Sequence, residues 1–136
     1  MSDKKITWRM RGVAFDATAG RCWYCGIVMD PFRFVLDHQI PVVQGGPSTQ
    51  DNLVASCSPC NTSKRGRTVE EFRAWVGDKF MVKASEAITS LQQFSPLIGQ
   101  DFARSTAAAI ETTIRDYQSG LGVIVFHGEE IARRRE

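Results

Sequence analysis

Apolar positions along the first half of the chain alternate between one helical pattern and several short runs. Ile6, Met10, Val13, Ala14 and Ala17 fall at i, i+4, i+7, i+8 and i+11, which predicts an amphipathic helix over residues 5–18. Ala19-Gly20 supplies its stop, and Gly12 weakens its interior. Phe32-Arg33-Phe34-Val35-Leu36 follows the turn signal Asp30-Pro31 and predicts a strand. Residues 41–51 read as a polar loop with Gly45, Gly46, Pro47, Ser48 and Asp51, and Leu53-Val54-Ala55 as a short return strand. A short helix carrying Asn61, Ser63, Lys64 and Arg65 is expected to end near Gly66.

The second half has helical periodicity throughout. Thr68-Val69-Glu70-Glu71 is a capping-box sequence, and the helix it opens presents Val69, Phe72, Trp75 and Val76 on one face. A further helix is expected over 83–94 with Ala87, Ile88, Leu91 and Phe94 inward, interrupted by Pro96. A longer one runs from Ile98 to Gln118 with Phe102, Ala109, Ile110, Ile114 and Tyr117 facing inward. After Gly120 and Gly122, Val123–Phe126 reads as a short strand and Glu129–Arg135 as a last helix, with His127 in a surface loop. The fold class expected is α+β: an N-terminal helix, a small hairpin–helix core and a mainly helical C-terminal extension. The organisation expected is a stapled module over 1–67, and an extension over 68–136 that serves packing, dimerisation or nucleic-acid contact.

Composition adds bounds. The chain has 136 residues, 43% hydrophobic and 24% charged, which suits a globular protein and argues against wholesale disorder. No apolar run approaches a membrane span. No signal-peptide pattern opens the sequence, so a reducing, cytoplasmic setting is the expectation. The net charge of +2 hides an asymmetry. Residues 1–67 hold nine Lys/Arg against five Asp/Glu, a balance of +4, whereas residues 68–136 hold eight against ten, a balance of −2. A polyanion is attracted to the first half, though too modestly for charge alone to identify a nucleic-acid binder.

Four cysteines form two matched pairs, Cys22-Trp23-Tyr24-Cys25 and Cys57-Ser58-Pro59-Cys60. Each pair offers two sulfurs from one turn, and two such turns complete a tetrahedral S4 site suited to Zn²⁺. The competing readings are disulfides or a thiol-redox pair, but a redox Cys-x-x-Cys usually stands alone at a helix start. The 31 residues between Cys25 and Cys57 exceed the spacing of a short zinc ribbon, so a strand–loop–strand is inserted between the knuckles. Zinc in a closed four-thiolate site is structural and performs no chemistry. Trp23 and Tyr24 are expected to cover the knuckle.

Between the knuckles lies Asp37-His38, and Asn61 directly follows the last cysteine. A histidine near neutral pKa can take a proton from water, and a hard cation on oxygen ligands can grip a phosphate. The Asp37 carboxylate and the Asn61 amide oxygen make an oxygen-rich, incomplete site for Mg²⁺ or Mn²⁺. Adjacent strand residues point to opposite faces, so Asp37 and His38 can serve one phosphate only if the strand bends or ends at His38. Asn52, where the chain re-enters the hairpin, can hold the loop backbone and so aim His38. The plainer alternatives are a surface Asp-His pair, a helix-capping asparagine and a zinc-stapled, non-catalytic module that binds nucleic acid or protein.

Residues 21–67 resemble an HNH endonuclease module of the ββα-metal (His-Me finger) superfamily. The resemblance lies in Cys-x-x-Cys-Gly, Leu-Asp-His-x-Ile-Pro, Gly-Gly, Asp-Asn-Leu and Cys-x-x-Cys-Asn followed by Lys, in that order. It implies a zinc-stapled ββα-metal core and DNA phosphodiester hydrolysis. It further implies His38 as general base, Asn52 as the loop-orienting residue, and Asp37 with Asn61 as ligands of the catalytic ion. The last family position is asparagine and not histidine, a departure that bears on the metal and leans it towards Mg²⁺. Lys64, Arg65 and Arg67 are candidates for contacting backbone phosphates, with an ordinary solvated helix end as the alternative. The partner expected is double-stranded or branched DNA, and a homodimer through the C-terminal helices would bring two sites together.

Overall fold

The structure, a computed structural model, describes residues 5–135. Compactness divides the chain in two. The first unit comprises the described residues of Met1–Phe72 and Val125–Glu136, and the second is Arg73–Ile124.

In the first unit, α1 (Trp8–Ala17) is capped by Thr7, whose Oγ1 accepts from the Met10 backbone N–H at 3.2 Å. The cap explains why the helix begins three residues later than its apolar spacing suggested. Ala14 is its buried residue, and Val13 and Ala17 face outward. Phe15 packs on Phe34 with ring centroids 5.0 Å apart, and the Arg11 guanidinium lies over Phe34 while donating to its carbonyl at 2.9 Å. The inward face is therefore rotated from the expected one, because Phe34 draws Arg11 and Phe15 onto it.

The hairpin consists of β1 (Val35–His38) and β2 (Leu53–Ser56), antiparallel, with Asp37 opposite Val54 and His38 opposite Leu53. The strand expected at Phe32 starts later. The Asp30 carboxylate accepts from the Phe32 N–H at 2.8 Å, which holds Phe32 in the turn with 90% of its surface exposed. β1 is thereby shifted so that it ends at His38. Between the strands lie two short 3-10 turns, Val42–Gln44 and Gln50–Asn52. β2 leads directly into α2 (Ser58–Lys64). The core is thus a two-stranded, helix-backed α+β unit.

The capping box at Thr68 forms as expected: Thr68 N–H donates to Glu71 at 2.9 Å, and Glu71 N–H to Thr68 Oγ1 at 3.2 Å. It opens α3 (Val69–Ile98), one continuous helix of 30 residues and not two. Pro96 does not break it early because it falls in the last turn. There the Gln92 carbonyl, left without a proline N–H, accepts from Ser95 Oγ at 3.1 Å instead. Gly99, at φ 96°, ends the helix, and α4 (Gln100–Gln118) follows.

Within the second unit, Phe80 meets Tyr117 edge-on at 6.0 Å. These two residues stand nearly equidistant from Gly99, which marks an antiparallel helical hairpin. A Cβ on Gly77 would lie 1.6 Å from the Tyr117 hydroxyl, so glycine is required at that crossing. Ala84 and Ala103 are buried there, whereas Phe102 is 60% exposed and Ala109 also faces outward, contrary to the inward face expected for α4. No described helix is long and apolar enough to cross a membrane.

Val123–Phe126 is not a strand. It is an extended lead into α5 (His127–Arg134), which belongs to the first unit. There His127 and Gly128 donate their N–H groups to the carbonyls of Tyr24 (3.1 Å) and Trp23 (2.7 Å). His127 is therefore half-buried beside the first knuckle and not in a surface loop, and a Cβ on Gly26 would come within 3.2 Å of its ring.

Candidate active site

The two knuckles meet. The sulfurs of Cys22, Cys25, Cys57 and Cys60 all lie within 4.8 Å of one another. Cys25 Sγ and Cys57 Sγ are 3.8 Å apart, much longer than a disulfide bond, and none of the four cysteines is oxidised. That separation is the edge expected of a tetrahedron with metal–sulfur bonds of about 2.3 Å. Without a cation the four thiols cannot all ionise. Cys60 is pushed up by its hydrogen bond to Cys22 and by burial, and burial raises Cys57, while Cys22 is held down to about 4, chiefly by the bond from Cys60. The donor set and spacing suit a structural ion of zinc's size and softness.

Backbone bonds tie this frame to the hairpin. Trp23 N–H donates to the Ala55 carbonyl of β2 at 2.8 Å, and Cys57 directly follows β2 as the residue capping α2. The knuckle is covered by more than its own aromatics. Trp23, Tyr24, Phe72 and Phe126 form one cluster, with Phe72 and Phe126 stacked at 5.5 Å and Tyr24 edge-on to both.

Asp37 and His38 stand at the end of β1 and face different neighbours. Asp37 is buried, and its Oδ2 accepts from the Tyr24 hydroxyl and lies 3.0 Å from Lys64 Nζ. Burial, then the charge of Asp37, raises the Tyr24 phenol, which therefore stays protonated and donates. One donor comes from inside the first knuckle and the other from the helix that starts at the second. The carboxylate is thus held from both sides through Oδ2.

Lys64 is fully buried and also donates to the His38 carbonyl at 2.7 Å. It is thereby separated from the other two basic residues with which the sequence groups it. Arg65 is exposed at the end of α2, with a left-handed φ of 54°, and Arg67 donates to the Ser63 carbonyl at 2.8 Å. Asn61 lies three residues before Lys64 on α2 and so shares its face, one turn nearer the cysteine frame.

His38 is half-buried, and its Nε2 lies 2.9 Å from Ser48 Oγ. Asn52, also buried, clamps the loop between them. Its Oδ1 accepts from Ile40 N–H at 2.9 Å, and its Nδ2 donates to the carbonyls of Ile40 (3.0 Å) and Pro47 (2.8 Å). Gly46 is pressed against the same corner, where a Cβ would lie 1.6 Å from the Ile40 oxygen. Tyr24, Lys64 and Ser48 are the residues in contact with the acid–histidine pair that sequence reasoning did not assign to it; Lys64 was read as a phosphate contact. The signal for Tyr24 was an aromatic phenol between two metal ligands; Ser48, ten residues from His38, carried none.

Comparison with known proteins identifies what the chain is similar to. The family described as HNH endonuclease matches residues 22–67. The CRISPR-associated endonuclease Cas9 of Corynebacterium diphtheriae is 33% identical over 110 residues, covering 76% of this chain. The chain spans about a tenth of that relative's length. Among solved structures, the Type II-C Cas9 enzyme from Actinomyces naeslundii aligns with a TM-score of 0.46 and 27% identity, over 54% of this chain and 9% of the other. The stretch from the first knuckle to the turn after α2 is accordingly an HNH endonuclease domain.

Proposed function

We propose that this domain is a metal-dependent DNA endonuclease in which His38 is the general base. The observation that carries the reading is the position of Lys64. By reaching both Asp37 Oδ2 and the His38 carbonyl, it docks α2, the helix that bears Asn61, against the acid–histidine pair. His38 takes the proton from the water that attacks phosphorus, and its place at the strand end leaves the ring free of the next pleat. Asp37, through the oxygen not engaged by Tyr24 and Lys64, and Asn61, through its amide oxygen, would hold a Mg²⁺- or Mn²⁺-type ion. When bound, such an ion stabilises charge on the scissile phosphate and the leaving oxygen. Asn52 keeps the loop closed so that the ring is aimed without reorganisation at the moment of reaction. Arg65, exposed beside the site, contacts the phosphate backbone, and Arg67 supports the turn that presents it. Zn²⁺ on Cys22, Cys25, Cys57 and Cys60 is structural.

DNA is the substrate inferred from the endonuclease names of the relatives and the positive balance of residues 1–67. The test is plasmid nicking across divalent ions. Cleavage that requires added Mg²⁺ or Mn²⁺ and is lost in His38→Ala, with the variant still folded, supports the proposal. A folded, zinc-loaded protein that binds DNA equally well with and without His38, and cuts nothing, points instead to a non-catalytic binding module.

A further inference from the structure

We infer that Ser48 is a positioning residue that holds the His38 ring in one tautomer, with Nε2–H donating to Ser48 Oγ and Nδ1 presenting the lone pair. The inference rests on His38 being the general base, but its geometry stands apart from that reading. A neutral imidazole has one N–H and one lone pair, and the hydrogen bond at one nitrogen decides which nitrogen can accept a proton. Ser48 Oγ is 2.9 Å from Nε2, and Nδ1 is the nitrogen it leaves.

Ser48 is not a freely moving loop serine, because the backbone is anchored on both sides of it. The Pro47 carbonyl accepts from Asn52 Nδ2 at 2.8 Å, and the Thr49 carbonyl from the Asn52 N–H at 2.9 Å. Gly46, bonded to the Pro41 carbonyl at 3.0 Å and pressed on Ile40, prevents the loop from sliding along the strand end. Asn52 therefore orients His38 through a side chain, by setting where the Ser48 hydroxyl stands. A threonine at 48 retains the hydroxyl, whereas alanine leaves the ring free to rotate and to exchange tautomers.

The experiment uses the 136-residue, zinc-loaded chain labelled with ¹⁵N-histidine, with long-range ¹H–¹⁵N correlation above the ordinary imidazole pKa. His38→Ala assigns the signals against His127. The expected result is an Nε2–H tautomer in the wild type, a tautomer mixture in Ser48→Ala and recovery in Ser48→Thr. In the nicking assay, Ser48→Ala is expected to lower kcat roughly tenfold to a hundredfold with KM unchanged, and Ser48→Thr to restore it. An Nδ1–H tautomer in the wild type, or a Ser48→Ala protein with unaltered tautomer and kcat, overturns the inference. A wild type that cuts no DNA but loses its single tautomer in Ser48→Ala removes the general-base reading and leaves the Ser48–His38 contact supported.

Discussion

Large aromatic and branched side chains fill the interior of the first unit: Tyr24, Met29, Phe34, Leu53, Val54, Phe72 and Phe126 are all buried. In the second unit the buried apolar residues are small, Ala84 and Ala103, while Phe94, Leu97, Ile98 and Phe102 are exposed. The contrast follows from what each backbone needs. Two four-residue strands do not hold together alone in water. The hairpin therefore depends on a cross-link between its ends and a thick aromatic cover, to which residues far along the chain contribute. Two long helices satisfy their backbone bonds internally and need only approach closely, which small residues at the crossing permit. The acid–histidine pair sits on the unit that cannot support itself locally, and Tyr24 of the first knuckle and Lys64 of α2 hold Asp37 there.

The strongest way to break this comparison is to remove the metal. Chelation, or Cys57→Ser, is expected to abolish hydrogen-exchange protection across β1 and β2. Protection between residues 78 and 116 should largely persist. Structural zinc contributes roughly 10–16 kcal/mol of apparent binding energy in small peptides, comparable with the whole stability of an ordinary domain, about 5–15 kcal/mol. If protection falls equally in both units, the first unit does not depend on its frame in the way described.

Next in size is the buried ion pair. Lys64→Ala strands the Asp37 carboxylate without its cation and is expected to cost about 3–5 kcal/mol in urea denaturation. Adding Asp37→Asn should recover part of that loss, and no recovery would mean that Lys64 matters by packing alone.

A matched pair of aromatic truncations sharpens the contrast between the units. Phe72→Ala should cost about 3–5 kcal/mol, because its ring is stacked on Phe126 and edge-on to Tyr24. Phe102→Ala should stay within about 0.5 kcal/mol. Equal losses would place the aromatic interior elsewhere.

The smallest loss expected at a buried contact is that of Tyr24→Phe, which deletes the hydroxyl bonded to Asp37 but keeps the ring in its cluster. It should cost about 1–3 kcal/mol by leaving a buried acceptor short of a donor. It should also weaken cleavage more than the stability change explains, if Asp37 is held for catalysis. A Tyr24→Phe enzyme with unchanged cleavage would limit the knuckle to stability.

Much of this was legible along the chain, because the signals were local. The knuckle spacing, the capping box at Thr68, the loop between Gly45 and Asn52 and the end of α2 near Gly66 are set by neighbours within a few residues. The inward faces of α1 and α4 were read only in part: Ala14 is buried and, on α4, Ile110, Ile114 and Tyr117 are half-buried, whereas Val13, Ala17, Phe102 and Ala109 are exposed. There, aromatic partners and exposure are decided by what lies opposite, and periodicity cannot specify that. The single length of α3 was missed because its apolar positions were read as two separate faces, Val69–Val76 and Ala87–Phe94, with Gly77 and Asp78 following the first.

By itself the sequence determined which groups were available: four thiols in two matched turns, one acid–histidine pair, and asparagines at the loop and at the helix start. Their order and spacing follow from covalent connectivity, so they can be read without coordinates. Only the tertiary structure decided which atoms meet. It gave Tyr24 and Lys64 to Asp37, Ser48 to His38 and Phe126 to the first knuckle, pairings across 13, 27, 10 and about 100 residues. Contacts at such separations depend on how packed surfaces close on each other, and no local preference of the chain encodes them.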